Sequence, residues 1–152
     1  MNFTVTEMTA EHIPQTASLE KECFSQPWSE NALSAELEKE DSHFLVAVSD
    51  GELYGYIGVQ EIMGEAYITN VAVFGSRRKN GVGKALVDAA CEGAAKRNCE
   101  FITLEVRESN LGAISLYEKA GFEKVGVRKN FYSRPTENAV LYTKYFSKEV
   151  NI

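Results

Sequence analysis

Cysteine, histidine, proline and tryptophan are all scarce in this 152-residue chain, which holds three, two, three and one of them. Cys23, Cys91 and Cys99 are odd in number and have no C-x-x-C or His/Cys ligand spacing, so neither a disulfide framework nor a zinc site is indicated. His12 and His43 fall in segments that read as ordinary helix and strand starts, and no metal is expected. A positive excess is also missing: 16 basic against 22 acidic side chains leave −6, which excludes a nucleic-acid binder driven by bulk charge. The longest purely apolar run, residues 44–48, is far too short for a membrane span, and the first residues lack the basic-then-apolar pattern of a leader. A reduced, cytoplasmic setting with no membrane partner and no direct nucleic-acid partner is the expectation.

What is present is an ordinary globular composition, 44% hydrophobic and 25% charged, without repeats or a Pro/Gly/Ser-rich linker. Residues 1–152 read as a single domain. The charge is unevenly spread, with 2 basic and 13 acidic groups in residues 1–76 and 14 and 9 in residues 77–152. Such asymmetry suits two partners of opposite sign, and equally an uneven solvated surface.

The periodicities alternate between two and 3.6. Residues 3–8 read as a strand, followed by a helix to about Cys23 with Thr9 as N-cap. Ser29 caps a second helix with Leu33 and Leu37 on one face. Strands at 44–48 and 53–62 flank Asp50-Gly51, a strong hairpin signal, and a third at 66–74 follows Gly64. Residues 83–97 read as helix, 101–107 as strand, 110–120 as helix stopped by Gly121, and 122–127 and 139–146 as strands. The fold class is α/β, a mixed, mostly antiparallel central sheet with helices on both faces.

The most informative segment runs from Val71-Ala72-Val73 through Arg78-Lys79-Asn80-Gly81-Val82-Gly83-Lys84. It joins a strand to a helix, and its glycines let consecutive backbone N–H groups face one point at the helix start, where the macrodipole favours an anion. Arg77, Arg78, Lys79 and Lys84 add positive charge around it. A P-loop is excluded because Arg78 replaces its first glycine and Ala85 its hydroxyl residue; a dinucleotide fingerprint is excluded because Leu86 stands at its third small position.

Arg78-x-x-Gly81-x-Gly83 after such a strand resembles the GCN5-related N-acetyltransferase (GNAT) superfamily. With Gln26-Pro27-Trp28-Ser29, Leu104-Glu105-Val106-Arg107, Leu116-Tyr117-Glu118-Lys119 and Arg128-Lys129-Asn130-Phe131-Tyr132, the chain is similar to the bacterial RimI-like branch, which acetylates the N-terminal alanine of a ribosomal protein. The resemblance implies acetyl-coenzyme A as co-substrate. It places Val71, Ala72 and Val73 along the pantetheine arm, Arg78, Lys79, Asn80, Gly81, Val82, Gly83 and Lys84 at the pyrophosphate, and Asn110 and Tyr117 also on the cofactor. It further makes Glu105 the general base, Tyr117 the general acid, and Pro27, Trp28 and Tyr132 parts of the peptide-binding loops. Phe131 and Asn138 depart from the tyrosine and aspartate that the resemblance leads one to expect. Without the resemblance, Glu105 reads as part of a solvated strand face and Tyr117 as a core aromatic. Other protein N-termini, lysine, small amines, or a non-catalytic acyl-coenzyme A-binding domain are the alternatives.

Overall fold

The computed structural model describes residues 2–146, so that Met1 and residues 147–152 of the expected 1–152 domain lie outside the described residues. The elements follow in the order β1 (Thr4–Glu7), α1 (Ile13–Cys23), α2 (Glu30–Leu37), β2 (Ser42–Ser49), β3 (Glu52–Ile62), β4 (Glu65–Val73), α3 (Val82–Lys96), β5 (Phe101–Arg107), α4 (Leu111–Lys119), β6 (Glu123–Tyr132) and β7 (Glu137–Tyr145). One seven-stranded sheet has the order β1-β2-β3-β4-β5-β7-β6, in which only β4 and β5 run parallel. This is the expected mixed sheet. No helix among the described residues is long and apolar enough to cross a membrane.

Local chemistry explains most boundaries. Asp50 and Gly51 both adopt positive φ, +50° and +78°, as a two-residue hairpin between twisted strands requires. Ser29 accepts a hydrogen bond from the Ala32 amide at 3.1 Å, and Asn110 does the same for Ala113 at 3.2 Å. Thr9 begins a short 3-10 turn, Ala10–His12, and α1 proper starts only at Ile13, with Pro14 in its first turn. The strand expected at 122–127 continues to Tyr132. Its exposed, polar second half shows no alternation, because it is an edge strand held by β7 alone.

Two apolar clusters cover the two faces of the sheet. One gathers α3, α4 and β5 residues such as Leu86, Val87, Ile102 and Leu104; the other gathers Leu19, Leu33, Phe44 and Tyr56 beneath α1 and α2. A bulge changes the course of β4 between them. Gly58 pairs with Asn70 and Val59 with Ile68, so Thr69 is an extra residue with no partner. Ala66 and Ile68 face the α3 side, but past Thr69 the parity inverts: Val71 and Val73 face that side while Ala72 faces α1. Near the bulge the sheet also opens. β4 and β5 pair only at Glu65, Ala66 and Tyr67 against Phe101, Ile102 and Thr103, and beyond these they diverge.

Candidate active site

The divergence of β4 and β5 leaves a wedge whose walls are strand edges. Residues 68–73 of β4 remain paired to β3 on one side only, so half of their N–H and C=O groups face the gap. An extended ligand can take these groups as a further strand would.

A cleft of about 390 Å³ opens at the wedge and is lined by Tyr67, Thr69, Glu105, Arg128, Phe131 and Tyr132, among others. Glu105 lies on β5, where Ile102, Leu104 and Val106 point into the core and Thr103, Glu105 and Arg107 point away. Its Oε1 is 3.5 Å from Arg128 Nη1, while Oε2 is buried without a hydrogen-bond partner among the described residues. A carboxylate oxygen in that state is costly unless something donates to it. Arg128 in turn lies over the Phe131 ring, 5.4 Å from its centroid.

Tyr132 is half-buried beside this pair; burial and the nearby Glu105 carboxylate raise its phenol above the ordinary range, so it is neutral. The hairpin carrying it is tied down by Arg107, whose guanidinium donates to the carbonyls of Ser133 (3.0 Å) and Pro135 (2.9 Å), pairs with Glu137 at 3.3 Å and lies over the Tyr132 ring. Asn138 accepts from the Asn130 amide at 2.9 Å, a task that an aspartate carboxylate would perform equally, and Phe131 offers Arg128 the same ring face as tyrosine. Both departures noted in the sequence are therefore absorbed structurally.

Tyr117, on α4, is placed as its core reading expects. Its ring is buried in the core against Phe122, centroids 5.6 Å apart. Burial, with Tyr132 next, pushes its phenol well above the usual value. The group thus stays protonated at neutral pH.

The loop before α3 curls through two left-handed residues, Lys79 (φ +63°) and Gly81 (φ +79°). Asn80 Nδ2 donates to the carbonyls of Arg77 and Arg78, and the first intrahelical bond runs from Ala85 to Gly81. The amides of Val82, Gly83 and Lys84 precede that bond and form an anion-seeking nest. A Cβ on Gly83 would lie 3.3 Å from Leu116 Cδ2, so glycine here permits close approach of α3 to α4. The basic cluster expected around the loop is only partly directed at it. Arg77 pairs with Glu52 at 2.6 Å and lies over Tyr54, Arg78 donates to the Val73 carbonyl at 3.1 Å, and Lys84 pairs with Asp88 at 2.7 Å. The side chains of Arg77, Arg78 and Lys84 thus already meet acceptors of the protein itself, because side chains this long reach nearby carboxylates and carbonyls. Asn110 spends its side-chain oxygen on the α4 cap, which leaves its amide nitrogen for a ligand.

Sequence reasoning missed Glu20. It is wholly buried on α1, yet carries no cation; Oε1 accepts from the Trp28 amide at 2.9 Å, and Oε2 from Tyr56 Oη at 2.9 Å and Asn70 Nδ2 at 3.4 Å. One carboxylate therefore joins the Pro27-Trp28 loop to β3 and β4. A glutamate in a helix ordinarily reads as solvated; its only sequence signal is its place on the face shared by Ile13, Ala17 and Thr16. Glu20→Ala is expected to lower unfolding stability in urea by about 2–5 kcal/mol, since it strands buried donors. Glu20→Gln should recover much of that loss, because the Tyr56 hydroxyl can turn to accept from the amide; equal loss in both variants would show that the charge matters and the geometry does not.

Burial raises all three thiols, Cys91 and Cys99 to about 11, which suits packing and not nucleophilic work. No group of three or more His, Cys, Asp or Glu among the described residues could hold a metal.

Residues 13–122 match the family model described as Acetyltransferase (GNAT) family. A protein of Bacillus subtilis (strain 168), named "Putative ribosomal protein bS18-alanine N-acetyltransferase", is 36% identical over 138 residues, covering 90% of this chain and 91% of its own. The crystal structure of the ribosomal-protein-S18-alanine N-acetyltransferase from Escherichia coli superposes with a TM-score of 0.87 at 26% identity, covering 99% of both chains. Arabidopsis thaliana NAA60, solved in complex with acetyl-CoA, shares the fold with a TM-score of 0.86 at 18% identity, over 95% of this chain and 98% of that one.

Proposed function

Because the chain belongs to the acetyltransferase (GNAT) family, we propose that it acetylates a protein N-terminus, and specifically the N-terminal alanine of a ribosomal protein, from acetyl-coenzyme A. The observation that carries this reading is the buried Oε2 of Glu105, without a hydrogen-bond partner among the described residues, on a residue that lines the cleft where β4 and β5 part. The names of the relatives in B. subtilis and E. coli support the acceptor.

Acetyl-coenzyme A, when bound, supplies an activated acetyl thioester. The unpaired edge of β4 at Val71, Ala72 and Val73 suits its amide-bearing arm, and the nest of Gly81, Val82, Gly83 and Lys84 suits its pyrophosphate. Glu105 accepts the proton that the amine must lose, directly or through water. Tyr117 donates to the sulfur as it leaves, and its raised pKa keeps that proton in place until negative charge develops there. An N-terminal amine, with a reference pKa of about 7.7–8.0 against about 10.4 for lysine, is neutral roughly hundreds of times more often near pH 7, so a single carboxylate suffices. Pro27, Trp28 and Tyr132 frame the peptide's approach. The three free thiols suit a reducing cytoplasm.

The test is thiol release from acetyl-coenzyme A with two peptides, one beginning with a free alanine and one with a blocked N-terminus and an internal lysine. Release is expected with the first alone. Release with the lysine peptide would transfer the assignment to a side-chain acceptor, and tight coenzyme A binding without release for any peptide would make the domain a non-catalytic binder.

A further inference from the structure

The cleft carries a second charge that the proposed chemistry does not use. Of the residues lining it, Glu105 and Arg128 alone carry a formal charge at neutral pH, and they face each other at 3.5 Å. Around them, Tyr67 and Tyr132 are neutral, the Glu65 carboxylate outside the lining accepts from the Tyr67 hydroxyl at 2.8 Å, and Arg107 pairs with Glu137 and donates to the hairpin carbonyls. Arg128 projects from an edge strand and is half-exposed, but its guanidinium is held over Phe131, so its charge stays at the mouth of the cleft.

The consequence follows from the protein's own charge. A chain of net −6, with 13 acidic against 2 basic groups in its first 76 residues, attracts cations. An unaccompanied Glu105 would favour the amine as its ammonium, the form that must give up a proton before it can attack a thioester. The geometry points to Arg128 as a specificity-determining residue that offsets the Glu105 charge and shifts the cleft's preference toward the amine in its uncharged form. Arg128 meets Oε1 and leaves Oε2 free for the proton, so neutralisation does not block the base. The proposal rests on the N-terminal amine being the acceptor, and it gives that preference a physical origin: an acceptor of pKa about 8 supplies the neutral form readily, and one of about 10.4 does not.

Two peptides of the same length and shape test it. One begins with N,N,N-trimethylalanine, a permanent cation; the other begins with a neutral residue bearing a tert-butyl group in the same place. Their affinities for the full-length protein are measured by calorimetry at low salt, so no turnover is needed. The intact protein is expected to bind the neutral peptide at least as well as the cation. Arg128→Met should shift the ratio toward the cation by on the order of tenfold, the size of one screened charge interaction, and Arg128→Lys should keep the original ratio. Taking the ratio cancels any change in cleft shape. An unchanged ratio in Arg128→Met, or the same shift in Arg128→Lys, overturns the proposal. Failure of the functional reading is seen separately, as absence of thiol release with a free-alanine peptide.

Discussion

Glu105→Gln is expected to lower kcat/KM for an alanine-terminal peptide by about 10²–10⁴-fold, the range for loss of a general base. The amide keeps the volume of the side chain and can still meet Arg128, so the hairpin and the wedge should persist and binding of coenzyme A should be unchanged. The loss should shrink as pH rises past the amine's pKa of about 8, because the acceptor then arrives already neutral and only the later proton removal is missing. A variant whose deficit is the same at pH 7 and pH 9.5 would show that Glu105 acts through its charge or shape and not as a proton acceptor. A variant as active as the parent at pH 7 would remove Glu105 from the chemistry.

Tyr117→Phe should reduce kcat by about 10²-fold or more while leaving the KM for acetyl-coenzyme A within about twofold, since only a proton donor is lost. The ring stays against Phe122 and the core is not opened. Thermal stability near neutral pH should therefore be close to that of the parent, which separates this role from packing. At alkaline pH the comparison acquires a sign. The Tyr117 phenol is raised in the folded protein, so unfolded chains ionise first, and the parent loses stability as pH rises above the unfolded value of about 10. Phenylalanine removes that contribution, and the variant should lose less stability than the parent above pH 10, as read from urea unfolding. Undiminished kcat in Tyr117→Phe would return the residue to the core alone.

These effects bear on features of unequal visibility in the sequence. Asp50-Gly51, Ser29 and Asn110 act on neighbours within a few residues, so their turn and caps could be read directly. The alternation of Ile102, Leu104 and Val106 against Thr103, Glu105 and Arg107 likewise told which side of β5 is wet. The glycine loop showed where backbone amides converge, but not that Arg77, Arg78 and Lys84 would turn to Glu52, Val73 and Asp88. Competition for a long cationic side chain depends on which acceptors the fold brings near, and Glu52 lies 25 residues away. Glu20 was invisible for the same reason, because its donors Trp28, Tyr56 and Asn70 come from three separate segments.

Composition, period and turn chemistry were enough to specify an α/β chain with its helices and strands in the right order, since each depends on contacts within a turn or a pleat. The bulge at Thr69, the divergence of β4 from β5 and the meeting of Glu105 with Arg128 belong to pairings between distant strands. A one-residue insertion inverts every later side chain of a strand, and nothing in the alternation of β4 announces it. Glu105 and Tyr117 could thus be singled out from the chain through its resemblance to a family, whereas the cleft that Glu105 lines exists only once the strands are laid side by side and two of them part.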